Sequence, residues 1–87
     1  MVTNNEIQRL YKELEKVSVD EIYVDGNCLC VSIHWGDWKH DHGRCDWILN
    51  RLGYGFIGCE VTEEDGSDTY SGIRRYYPRE EREFNGL

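Results

Sequence analysis

The 87-residue sequence has one proline, one methionine and no long apolar run. Without such a run no segment is suited to span a membrane. With Pro78 alone and no low-complexity stretch, nothing reads as an interdomain linker, so a single small domain over 1–87 is expected. No Gly-rich phosphate loop and no Ser-His-Asp order is present, which removes the commonest nucleotide and acyl-transfer signatures. Cations are scarce: 10 Lys and Arg stand against 17 Asp and Glu, a net charge of -7. Direct nucleic-acid binding is therefore not expected, because a phosphate backbone is held by Lys and Arg. The opening stretch MVTNNEIQRL has neither a basic nor an apolar signal region, so a reducing cytoplasm is the expected location. There the four cysteines are expected as thiols or metal ligands rather than disulfides. A Cys28–Cys30 bridge in particular would strain the strand that holds both.

What is present reads as two repeats of helix plus hairpin. Thr3 and Glu6 form a capping box, with Val2 placed to staple onto Ile7. Ile7, Leu10, Tyr11, Leu14 and Val17 make one apolar stripe on a helix of about fourteen residues. Ile22–Val24 and Asn27–Trp35 flank Asp25-Gly26, which predicts a hairpin with a type I′ turn. Alternation then puts Leu29, Val31, Ile33 and Trp35 on the core face, with Cys28, Cys30, Ser32 and His34 opposite. A second helix follows, with Asp41 as its N-cap, Gly43 marking a tight approach and Gly53 just past its end. Its buried stripe is Cys45, Ile48, Leu49 and Leu52. Tyr54–Thr62 and Thr69–Tyr77 form the second hairpin around the loop from Glu63 to Asp68. Ile57, Cys59 and Val61 alternate inward, leaving Phe56, Gly58 and Glu60 outside. Pro78 ends the sheet, and 78–87 reads as a frayed charged tail. The expected fold is α+β: αββαββ, a four-stranded, mostly antiparallel sheet with two helices on one face.

Trp35 to Tyr54 is the densest stretch. His40, His42 and Cys45 lie within six residues at the start of the second helix. Strand and helix rises place Cys59 beneath them, whereas Cys28 and Cys30 end up about 20 Å away. Two histidines and two cysteines make a closed tetrahedral set, so His40, His42, Cys45 and Cys59 are the candidate ligands of a structural zinc. The alternative for Cys45 and Cys59 is ordinary core packing. His40-Asp41-His42 also admits a small zinc hydrolase with an open ligand position.

Glu60, Glu63, Glu64, Asp65 and Asp68 fall within nine residues that contain no Lys or Arg. Such a loop suits a partner with a basic surface, and Tyr23 and Phe56 are candidate aromatic contacts beside it. The plain alternative is a solvated loop. Small size, acidity and aromatic richness, without an enzyme motif, give the whole chain a resemblance to small proteins of phages and other bacterial mobile elements. Within these it is similar in kind to anti-CRISPR proteins. The resemblance lies in size, charge and layout, and the segments GDWKHDHGRCDW and EVTEEDGSDTYSG carry no motif common to that group. It implies a non-enzymatic inhibitor or adaptor in a bacterial cytoplasm, acting on a CRISPR RNA-guided nuclease. A homodimeric accessory module, paired through the outer sheet face, is the further alternative; the expected state is monomer or weak homodimer.

Overall fold

A computed structural model describes residues 3–37, 40–66 and 68–78, the side chain of His42 excepted. The elements are α1 (Asn4–Glu13), β1 (Val19–Asp25), β2 (Cys28–Asp37), α2 (His40–Arg51), β3 (Tyr54–Glu64) and β4 (Thr69–Pro78). Every strand pairing is antiparallel, and the sheet order is β1-β2-β4-β3. The fold is therefore the α+β arrangement αββαββ. β2 and β4 are central, and β1 and β3 are the edges. One core joins Leu10, Leu14 and Val17 to Cys45 and Leu49 of α2 and to Ile22, Leu29, Val31, Ile33, Tyr70 and Tyr76 of the sheet. Each large aliphatic side chain buried there is worth about 1.5–3 kcal/mol. No helix among the described residues is long and apolar enough to cross a membrane.

α1 starts as expected, with Thr3 Oγ1 accepting the Glu6 amide at 3.2 Å. The other half of the capping box is used elsewhere: the Glu6 carboxylate accepts the Tyr54 hydroxyl at 2.6 Å. The helix ends at Glu13, earlier than the stripe suggests, yet Leu14 and Val17 stay buried beyond its end. Tyr11 reaches β1 instead of the core centre. Its hydroxyl takes the Ile22 amide at 2.8 Å and lies 3.4 Å from the Ile22 carbonyl, covering backbone groups that an edge strand leaves open. The Val2 staple falls outside the described residues, as do positions 79–87 of the expected tail. Pro78 itself belongs to β4 and pairs with Tyr54.

The first hairpin turns one residue later than its Asp-Gly signal suggests. Asp25 pairs with Cys28, leaving Gly26 and Asn27 as the loop. Only Gly26 of the two has positive φ (63°), the glycine-first pattern of a type II′ turn. An Asp25-Gly26 loop would set Tyr23 opposite Cys28 and Ile22 opposite Leu29; the observed partners are Cys30 and Val31. Both shifts are two residues, so each side chain keeps its expected face.

Bulges overturn the expected faces further on. Between the pairs Ile33–Gly72 and Gly36–Tyr70, two residues of β2 oppose the single Ser71 of β4. Trp35 takes φ 51°, its amide donates to Ser71 Oγ at 3.0 Å, and the residue is 40% exposed instead of in the core. In β3, Ile57 is the extra residue between Phe56–Tyr76 and Gly58–Arg75. Phe56 therefore lies on the helix side with Cys59, and Ile57 is 53% exposed. A second bulge at Thr62 follows Val61, which is also exposed. β3 runs on to Glu64, so Glu63 and Glu64 are strand residues and not loop.

The start of α2 is also set differently. Asp37 Oδ1 accepts the His40 amide at 2.8 Å, the bond expected of an N-cap, so Asp41 is freed from that role. The Asp41 carboxylate is buried and accepts the amides of Ser18 at 3.3 Å and Asp37 at 3.2 Å, tying the end of β2 to the segment before β1. Gly36 makes this approach possible. A Cβ there would collide with Ile33 and sit 3.0 Å from Asp41 Oδ2, whereas Gly43, expected to be tight, has nothing within 4 Å.

Candidate functional site

Under α2 lies a charged group that pattern reading missed. Arg74 alternates with Gly72 and Tyr76 on the helix side of β4, and it is 0% exposed. Its Nη2 donates to Asp46 Oδ1 at 2.7 Å and its Nε to the Tyr76 hydroxyl at 2.9 Å. The guanidinium carbon stands 4.3 Å from the Phe56 ring centre, and Phe56 meets Tyr76 edge-on at 5.6 Å. Burial opposes the charge on Arg74, but Asp46 and Tyr76 outweigh it, and the group holds its proton more tightly than usual. Tyr76 is likewise pushed up, first by burial. Its single hydroxyl proton serves Asp46 Oδ1, and the oxygen lies 3.3 Å from Cys45 Sγ.

Two of the expected zinc ligands border that cluster: Arg74 lies close to both Cys45 and Cys59. Burial pushes the Cys45 thiol up to about 11, and Cys59 is raised by the same cause. His40 is turned to its neighbour, with Nδ1 3.0 Å from Asp41 Oδ1, and its side chain is largely exposed. The side chain of His42 lies outside the described residues. Among the described residues, no three His, Cys, Asp or Glu are grouped to hold a metal.

The acidic candidates occupy the far half of β3 and its turn. Glu60, Glu63, Glu64, Asp65 and Asp68 are all exposed. Glu60 Oε1 pairs with Arg75 Nη1 at 3.3 Å, on the face that neither α1 nor α2 covers. The two candidate aromatics separate. Tyr23 stays on this open face, beside Cys30, while Phe56 is on the other side with Arg74. Cys30 is buried even here, flanked by Tyr23 and Arg75, and burial raises its thiol. His34 and Trp35, both exposed, lie at the hairpin-turn end of the same sheet, their rings 6.3 Å apart.

No protein-family model, curated protein or solved structure matches this chain.

The geometry therefore divides the chain's polar residues into two groups with different roles. Arg74, Asp46, Tyr76 and Cys45 bond to one another within the fold and hold α2 on the sheet. Glu60, Glu63, Glu64, Asp65 and Asp68, with His34 and Trp35, are exposed. The sequence contained a signal for the first group. Tyr70, Gly72, Arg74 and Tyr76 share one face at period two, so the burial of the two tyrosines carries Arg74 inward with them.

Proposed function

We propose that the chain is a non-enzymatic inhibitor or adaptor that binds a basic protein surface through the acidic half of its β3–β4 hairpin. The observation that carries this reading is the exposure of five carboxylates between Glu60 and Asp68, on an edge strand and its turn. A carboxylate row on a rigid hairpin loses little entropy on binding and attracts a basic partner over a Debye length, about 10 Å at moderate salt. A CRISPR RNA-guided nuclease is the partner class that the resemblance suggests, since such nucleases hold nucleic acid in basic channels. The test is binding to, and inhibition of, a purified nuclease of this class across a salt series. The triple variant Glu63→Lys, Glu64→Lys and Asp65→Lys should bind at least about tenfold more weakly, with a flatter salt dependence. Unchanged affinity would remove the acidic-contact reading.

A further inference from the structure

We infer that the open sheet face beside the acidic hairpin is a receptor for an arginine-bearing extended segment of the partner, with Trp35 as its anchor. This inference rests on the reading above and goes further, because it names the chemistry of the partner and the side chain that reads it.

Ser71 is the geometric centre of the argument. On one side its Oγ accepts the Trp35 amide at 3.0 Å. On the other side Ser71 pairs with Glu63 of β3. Trp35 and Glu63 are thus separated by one strand, so their backbones lie about 10 Å apart. Partners in an antiparallel pair share a face, which places Glu63 with Ser71 and Glu60 with Ile73. The salt bridge from Glu60 to Arg75 marks this as the face that neither α1 nor α2 covers.

The charge around that centre is of one sign. The three strand segments that meet there read IHWGD (33–37), TYSGI (69–73) and EVTEE (60–64). Glu60 and Glu63 lie on this face, Glu64 pairs with Tyr70 on the helix side, Asp37 Oδ1 caps α2, and the three segments hold no Lys or Arg. Arg75, the first cation of β4 on this face, already serves Glu60. A second copy of this chain would bring the same acidic segments against themselves, so charge complementarity selects a cationic occupant over a dimer.

Trp35 supplies what the carboxylates lack. A solvent-facing indole binds a guanidinium through its face and discriminates guanidinium from ammonium by stacking. Alternate residues of an extended peptide are about 6.8 Å apart, so one arginine on Trp35 and another near Glu63 fit a single segment. Trp35 is also held at φ 51°, a conformation that glycine adopts freely and a tryptophan does not. If packing alone mattered here, glycine would serve the backbone better.

That last point gives a test that separates binding from stability. Octa-arginine and octa-lysine peptides are titrated into the isotope-labelled full chain at low ionic strength, with the Trp35 indole signal assigned from Trp35→Phe. Octa-arginine should bind the wild type more tightly than octa-lysine and should shift the Trp35 indole. Trp35→Gly should weaken octa-arginine binding about fivefold, the loss of one cation–π contact, and should leave the melting temperature equal or higher. Three results would overturn the inference. If octa-arginine binds and Glu63→Lys with Glu64→Lys weakens it while Trp35→Gly does not, the anchor fails and the acidic-surface reading stands. If Trp35→Gly lowers the melting temperature, Trp35 is a packing residue. If neither peptide binds, both readings fall.

Discussion

Arg74 and Asp46 form a 2.7 Å ion pair between β4 and α2 in which the cation is 0% exposed and the carboxylate side chain 32%. The asymmetry sets the energetics. Asp46 retains part of its hydration, whereas Arg74 depends on its partners for all of its own. Tyr76, Cys45 and Phe56 surround the pair, so one residue pair fixes the height of α2 over the sheet.

The two partners should respond unequally to removal. Asp46→Ala leaves a buried guanidinium without its carboxylate and should cost about 2–4 kcal/mol, at the lower end of the range for a broken buried pair because Asp46 is partly solvated. Arg74→Met replaces the charge with apolar volume and should cost less than Asp46→Ala. Urea denaturation midpoints of both variants check the order. Equal or reversed losses would show that the pair is not what seats the helix.

Asp41 should make stability fall as pH drops below about 4. Burial alone would raise its carboxyl, but hydrogen bonds from His40, Ser18 and Asp37 win and lower it below the ordinary value. A lowered folded pKa contributes stability above the unfolded value, about 3.9, and that contribution is lost as pH drops through the folded value. Asp41→Asn should therefore be less stable than wild type at pH 7 by about 1–2 kcal/mol. The gap should close at pH values below about 4. Thermal melts of both proteins from neutral to acid pH measure it.

Cys45 should be chemically silent in the folded chain. Its thiol is fully buried, contacts Tyr76 and is raised to about 11, so almost no thiolate exists at neutral pH. Alkylation followed by mass spectrometry should modify Cys45 only after denaturation. Adding a strong chelator should change neither this protection nor the melting temperature. A drop in melting temperature on chelation, with Cys45 then labelled, would instead support the zinc corner of His40, His42, Cys45 and Cys59.

Gly36→Ala probes the junction that displays Trp35. The added methyl would collide with the Ile33 side chain and crowd Asp41 Oδ2. The expected loss is about 1–3 kcal/mol, the usual result of overpacking a filled site. Gly43→Ala, with open space around the new methyl, should be neutral or stabilising by helix propensity. Melting temperatures of the two variants should move in opposite directions or differ clearly.

The order and type of all six elements were legible from local pattern. Thr3 caps α1, the stripe from Ile7 to Val17 faces the core, and Gly53, at φ 97°, ends α2. These features depend on neighbours within one turn or one hairpin, so the chain carries them in its own spacing. The exposed acidic run from Glu60 to Asp68 was legible for the same reason, since a dense row of carboxylates has nowhere to go but water.

What the sequence could not decide was everything that follows a change of register. A period of two predicts faces only until an extra residue enters the strand, and three such residues enter β2 and β3. They moved Trp35 out of the core and Phe56 and Ile57 to positions opposite those expected, because each bulge answers to cross-strand partners on β4 that are distant in sequence. Asp41 lost the cap to Asp37 because Gly36 lets its carboxylate reach Ser18. The buried charge likewise awaited the strand order. Arg74 is an unremarked surface candidate until β4 lies between β2 and β3 beneath α2, where Asp46 makes its burial tolerable.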